Sequence, residues 1–288
     1  MRVREGHTTS ADGTRLRYYV MGQGPRTWLA TPAMGAPLIA MSRLFEQLER
    51  DLTIVTWDMR GFHGSAALAR PDAFRMEDHQ ADVEAVRRAV GVERYLCGGW
   101  SMGVPVALEH ARAASERLEG LILIAGPFER GLAPLIPFER GERVLLAAMG
   151  ALGRFPGLLN ATSRFAGGVP GVGKVARAIG FVAEDAAFFE QIVREFRKVD
   201  WGRYLVAARA IHDYRATHLA ELDLPTLVVA GERDLFAPPR IARQLSDAIR
   251  GSEVLVVPRA THYLVAEYPS LIAERIARFV GRLEPQKT

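Results

Sequence analysis

Residues 98 to 111 read "GGWSMGVPVALEHA", which sets one serine, Ser101, between Trp100 and Met102 with Gly99 and Gly103 two positions away on either side. A serine hydroxyl becomes a useful nucleophile only when a base takes its proton, and the base in turn needs an acid to hold its tautomer and stabilise its charge. The two glycines fit a tight turn from strand to helix, which exposes the hydroxyl and holds its residue in a strained backbone conformation. A serine that only caps a helix by accepting a backbone N–H would occupy the same place. The setting points to the nucleophile, because the apolar run "RYLCGG" ends where a helical pattern begins.

With such a turn the partners follow in the order Ser, then Asp or Glu, then His. Four histidines lie downstream: His110, His212, His218 and His262. His110 is too far along the helix that starts at the serine, and His212 and His218 fall in a stretch without strand patterns. His262 follows the last strand-like run, "EVLVVPRATH", and so emerges at the same sheet edge as Ser101; it is the expected base. Asp234 ends "TLVVAGERD", again just past a strand's C-terminal end, and is the expected acid. Asp223 precedes that strand and would lie at the opposite edge, whereas Glu129, just after "LILIAGPF", is a geometrically allowed rival.

The elements that must position these groups alternate. "TRLRYYVMG" reads as one arm of an early hairpin. "RTWLAT", "LTIVTWD", "RYLCGG", "LEGLILIAG", "TLVVAG" and "EVLVVP" read as strands, separated by stretches with apolar residues at helical spacing. The amphipathic "MEDHQADVEAVRRAVG" ends at Gly91, as a helix C-terminus favours, and "SLIAERIARFVGRLE" is the expected last helix. Strands without alternating polarity, interleaved with helices, predict an α/β fold whose mostly parallel central sheet is covered by helices on both faces. Residues 127–222 break the rhythm, with glycine-rich "GALGRFPGLLN" and "FAGGVPGVGK" and no convincing strand. The expected organisation is a core of residues 1–126 and 223–288, with 127–222 as a helical lid inserted after the sixth strand, over the edge where open α/β sheets bind ligands.

Taken in order, the motifs resemble those of the α/β-hydrolase fold family over nearly the whole chain. "GGWSMG" is similar to its nucleophile elbow, "GERDLFAPP" to its acid loop and "ATHYLVAEYP" to its histidine loop. "DMRGFHGSA" resembles the family's Asp-x-Arg-Gly turn, with His63 where a glycine is usual. The resemblance also implies the lid after the strand that ends at Gly126. One feature departs from it: the chain reads "TPAMGAP" where members usually carry His-Gly ahead of the first oxyanion donor. Alignment of "PAMG" with that motif puts the donor N–H on Met34, and a one-residue shift puts it on Ala33; the second donor is the N–H of Met102.

Composition narrows the setting. At 288 residues the chain can bury a full core. The lone Cys97 lies in an apolar run, so it can form no intramolecular disulfide and reads as a packing thiol in a reducing compartment. "MRVREGHTTSADGT" lacks the apolar centre of a signal peptide, and no segment has the length and apolarity to span a bilayer, so a cytoplasmic protein without stable membrane insertion is expected. The formal charge of +4 arises between residues 127 and 215, with 13 basic and 9 acidic residues against 24 and 24 elsewhere. The cations are dispersed, which argues against a nucleic-acid or membrane footprint and makes a solvated surface the default reading. No His/Cys cluster has metal-ligand spacing, and "GVPGVGK" lacks the Ser/Thr and preceding strand of a nucleotide loop, so no cofactor or metal is expected. The oligomeric state is left open.

The expected reaction is hydrolysis of an apolar carboxylic ester through an acyl-enzyme. Trp100, Phe128, Phe236 and Tyr263 are candidate pocket residues, since they neighbour the motifs. Carbon–carbon bond hydrolysis, lactone opening, perhydrolysis, release of an N-terminal proline and acyl transfer would use the same triad, and fold alone does not choose among them. A ligand receptor with little hydrolysis is the alternative from a different class. Ser101 argues against dehalogenase and epoxide hydrolase chemistry based on an aspartate nucleophile. From Arg143 to Ala183 there is no carboxylate, which raises the idea of a lid that opens at lipid interfaces, against the plainer one of a solvated surface.

Overall fold

The structure, a computed structural model, describes residues 2–65, 68, 74–136 and 138–283, and only the backbone of residue 139. Strands β1 (Val3–Thr9) and β2 (Arg15–Gly22) form the antiparallel hairpin. Then come β3 (Arg26–Thr31), α1 (Ile39–Leu48), β4 (Leu52–Trp57), α2 (Met76–Val90), β5 (Tyr95–Trp100), α3 (Gly103–Ala114) and β6 (Leu118–Ile124). Among the described residues five helices follow before the next strand: α4 (Glu139–Leu152), α5 (Pro156–Ala166), α6 (Val172–Ala178), α7 (Ala186–Phe196) and α8 (Trp201–Asp213). β7 (Thr226–Gly231), α9 (Pro239–Ala248), β8 (Glu253–Val257), the short α10 (Leu264–Glu267) and α11 (Pro269–Gly281) complete the chain. Glu284, the last residue of the expected final helix, lies outside the described residues, as does Ala66 at the end of "DMRGFHGSA".

Among the described residues one eight-stranded sheet runs β1-β2-β4-β3-β5-β6-β7-β8, with β2 antiparallel to both its neighbours, β1 and β4, and every other pair parallel. β3 sits between β4 and β5, so the chain steps outward to β4 and returns across β3 to β5. That reversal separates the loops leaving β3 and β5 and opens a crevice beyond their carboxyl ends.

Strands β5, β6 and β7 are buried on both faces, and β3 and β4 nearly so, which is why their sequences read as apolar runs. Alternate side chains go to opposite layers. Tyr95 and Cys97 of β5 join one core layer with Val83 and Val86 of α2 and Val104 and Leu108 of α3. Leu96 and Trp100 join the other, with Leu44 and Phe45 of α1 and Ile272, Ile276 and Phe279 of α11. Cys97 is fully buried, and desolvation pushes its thiol up to about 12, so it packs as a small apolar group. Gly91 closes α2 in the left-handed region at φ 70°, its N–H turned back to the carbonyls of Arg87 and Arg88.

Candidate active site

The turn between β5 and α3 is tight because backbone crowds it on several sides. A Cβ on Gly99 would lie 2.1 Å from the Thr31 carbonyl oxygen of β3, and one on Gly103 would lie 2.4 Å from the same atom. A Cβ on Gly126 would meet the Ser101 carbonyl oxygen at 2.3 Å. Glycine is the residue that these approaches allow. Ser101 takes φ 55°, a left-handed conformation costly for a residue with a side chain. The Ser101 N–H donates to the Ile124 carbonyl at 2.9 Å, and the Ser101 carbonyl accepts from Val104 N–H at 3.0 Å. Both bonds fasten the strained residue to the sheet and to α3.

His262 and Asp234 arrive from loops after β8 and β7. His262 Nε2 lies 3.0 Å from Ser101 Oγ, and His262 Nδ1 lies 2.8 Å from Asp234 Oδ2. The other carboxylate oxygen, Asp234 Oδ1, accepts the N–H groups of Phe236 at 2.8 Å and Ala237 at 2.9 Å. A carboxylate can only accept, so Nδ1 carries the ring proton and Nε2 presents its lone pair to the serine hydroxyl. The Asp234 side chain has no exposed surface, while 12% of the His262 side chain stays open. The imidazole is thus reachable and its anionic partner is not.

Further bonds hold the histidine loop. The Trp100 indole N–H donates to the His262 carbonyl at 3.0 Å. Glu267 accepts from the N–H of Thr261 at 2.8 Å, from its hydroxyl at 2.8 Å and from Ala183 N–H at 2.7 Å, which ties this loop to the segment before α7. Nothing in the spacing of the sequence marks Glu267 for that role.

The loop after β3 carries the two possible first donors, Ala33 and Met34, and both residues line the cavity that holds Ser101. No hydrogen bond among the described residues uses the N–H of Ala33, Met34 or Met102. Met102 is fully buried in the core, directly after Ser101. His63 reaches this loop from the turn after β4: its Nε2 lies 2.8 Å from the Gly35 carbonyl oxygen. It does so from φ 47°, the left-handed region that a glycine occupies without penalty. The turn beneath it is held by Asp58, which accepts Gly64 N–H at 2.9 Å and Arg17 Nε at 2.7 Å, and by fully buried Arg60, bonded to Asp82 at 2.7 Å. The missing glycine in "DMRGFHGSA" is the signal that could have led to this contact.

The cavity has a volume of about 340 Å³, and Trp100, Phe236 and Tyr263 line it beside Ser101 and His262. Leu135, Leu145 and Met149 close it from the loop before α4 and from α4 itself, and Ile192, Phe196 and Ala208 from α7 and α8. Among the described residues none of its wall is Asp, Glu, Lys or Arg. Phe128 is a correction to the sequence expectation. It packs against the core and its carbonyl accepts Ala216 N–H at 2.9 Å, so neighbouring Pro127 lines the cavity instead.

The remaining candidates are occupied elsewhere. His110 Nε2 meets the Tyr95 hydroxyl at 2.6 Å, His212 Nε2 meets Glu142 at 2.8 Å, and His218 Nε2 meets the Leu108 carbonyl at 2.9 Å. Glu129 is exposed and pairs through its backbone with Arg215. No three His, Cys, Asp or Glu side chains among the described residues cluster so as to hold a metal ion.

Comparison with known proteins agrees with this architecture. The model of the α/β-hydrolase fold family matches residues 38–269, so the chain belongs to that family. An uncharacterized protein of Mycobacterium tuberculosis is 23% identical over 282 residues, covering 95% of this chain and 80% of the relative. A thermophilic esterase from Thermogutta terrifontis superposes with a TM-score of 0.75 at 20% identity, over 97% of this chain and 98% of the esterase. The enol-lactonase from Burkholderia xenovorans gives 0.71 at 20% identity, over 96% of this chain and all of the lactonase. Both solved structures share the fold.

Proposed function

We propose that this chain hydrolyses carboxylic esters of apolar acids through an acyl-enzyme on Ser101. His262 is the general base and then the general acid, and Asp234 orients the imidazole and stabilises its charged form. The observation that carries the reading is the unbroken path from Ser101 through His262 to buried Asp234, opening on a cavity without charged residues in its described wall. Residues 127–222 serve as the cap over that cavity.

In the first half-reaction Ser101 Oγ bonds to the ester carbonyl carbon while its proton passes to His262 Nε2. The carbonyl π electrons move onto oxygen, where the N–H groups of Met102 and of Met34, or of Ala33 one residue earlier, donate hydrogen bonds to the developing oxyanion. The tetrahedral adduct collapses, the C–O bond to the alcohol breaks, and His262 returns the proton to that oxygen. Water then repeats the sequence on the acyl-serine, delivering the acid and restoring Ser101.

The cavity wall supports neutral substrates over charged ones. An anion entering it would leave water without a cation to meet it, a cost of several kcal/mol. A volume near 340 Å³ lies at the small end of ligand sites, about 300–1,000 Å³, and suits a medium-chain or aromatic acyl group. The test is mass spectrometry after treatment with a fluorophosphonate, alongside turnover of p-nitrophenyl esters. One adduct on Ser101, and turnover that disappears in Ser101→Ala, is the expected result. Absence of both adduct and turnover in the unaltered protein would replace this reading with that of a ligand receptor. A panel of esters, lactones and β-diketones against the same Ser101→Ala control ranks the bond types.

A further inference from the structure

Ten of the fourteen large apolar side chains exposed on the described residues fall between Leu135 and Ile179. On α4, Val144 and Leu152 are 68% and 49% exposed, and Ala148 and Ala151 between them are exposed too. These four share one helix face by their spacing. The neighbouring side of the same helix, about a quarter turn away, sends Leu145 and Met149 into the active-site cavity. α5 has no buried residue, with Leu158 68% and Phe165 78% exposed. Leu135 and Leu145 border both the catalytic cavity and an open apolar groove that Phe138 and Val144 continue outward. The apolar outer surface and the cavity therefore meet at shared side chains.

Charge separates this surface from an ordinary solvated one. Arg143, Arg154, Arg164, Lys174 and Arg177 are all exposed, and none forms an ion pair among the described residues. The run from residue 143 to residue 183 contains no carboxylate. Glu142, just before it, is buried and taken by Arg130 and His212. Exposed apolar groups interleaved with unpaired cations are the composition that anionic lipid surfaces attract. A second copy of this chain fits less well, because a two-fold contact would bring this surface onto itself and oppose its own cations. The helices cannot form one straight span either: α4 and α5 are bent by 98° at the break between them.

We propose that the outer surface of α4 and α5, with α6 adjoining in sequence, docks on anionic lipid surfaces, so that the mouth of the cavity at Leu135 and Leu145 faces the lipid. This surface function goes beyond the ester reading and stands without it.

The experiment is co-sedimentation of the full chain with vesicles of phosphatidylcholine, with and without about one third phosphatidylglycerol. Binding to the anionic vesicles is expected to exceed binding to the neutral ones by about tenfold or more and to fall at ~0.5 M salt. Two double variants, Leu158→Asp with Phe165→Asp and Arg154→Glu with Arg164→Glu, should each lose about tenfold in binding. Their melting temperatures should stay near that of the parent, since all four side chains are exposed. Ser101→Ala should bind like the parent, so loss of the hydrolytic reading leaves this outcome unchanged. Equal binding to neutral and anionic vesicles, no binding to either, or full binding by both double variants would overturn the proposal. A dimer in sedimentation velocity that the Leu158→Asp, Phe165→Asp variant dissociates, without vesicle binding, would assign the face to a second copy instead.

Discussion

The stretch from Tyr95 to Ala111 and helix α5 are both rich in small and apolar residues, yet they end in opposite states. In the first, every residue but Ser101 is buried; in the second, none is. The difference teaches where this fold needs precision. On the proposed reading the Ser101 hydroxyl must be held to within a fraction of an ångström, and strands β3 and β6 and helix α3 crowd its turn with backbone atoms. Helix α5 contributes no described residue to the cavity wall and no buried side chain to the core, so nothing demands the same precision of it.

The contrast can be broken or sharpened by substitution. Asp234→Asn should lower kcat by about ten-thousand-fold, because the amide donates to Nδ1 and selects the wrong tautomer, as ester turnover will show. Gly99→Ala should cost about 4 kcal/mol or more in urea denaturation, since its methyl would lie 2.1 Å from the Thr31 carbonyl and neither strand can yield without losing register. His63→Gly removes both the left-handed strain and the bond to Gly35. A positioning role predicts a roughly tenfold lower kcat with KM unchanged, and partial recovery in His63→Gln, whose amide can still donate. A purely structural role would move the melting temperature and leave kcat alone.

Smaller effects distinguish the core from the outer helices. Burial lowers the proton affinity of His79 to about 3 and of His110 to about 4. The unfolded chain, with histidines near 6.5, therefore takes up protons first as pH falls. Stability should decline from about pH 6.5 down to about pH 3, and His110→Gln should flatten the part of that slope above about pH 4 in a series of thermal melts. At the other end of the scale, Phe165→Ser should change stability by less than about 0.5 kcal/mol, because the ring is already 78% exposed. A larger loss would show that α5 is packed after all.

Much of this was legible in the sequence. The order of strands and helices followed from apolar periodicity, because interior parallel strands and amphipathic helices bury their patterns differently. Ser101, His262 and Asp234 could be picked out because each stands just beyond a strand's carboxyl end. Phe128 misled for the opposite reason: one residue past Pro127 the chain turns inward, and adjacency to a motif does not say which way a ring points. His63 was visible only as a departure from an expected glycine, and its partner, Gly35, lies 28 residues earlier. Glu267 could not be found at all, since it joins the nearby Thr261 to Ala183, a residue 84 positions before it in the chain.

The sequence by itself determined which residue types could react, the alternation that builds the sheet, and the absence of carboxylates from residues 143 to 183. Those are local properties, set by side-chain chemistry and by the periods of helix and strand. Only the tertiary structure decided the 3.0 and 2.8 Å contacts that link hydroxyl, imidazole and carboxylate, the side of α4 that meets the cavity, and the exposure of α5. Distances between loops depend on how the strands stack and cross, and burial depends on which surfaces find partners. No single segment of chain carries that information.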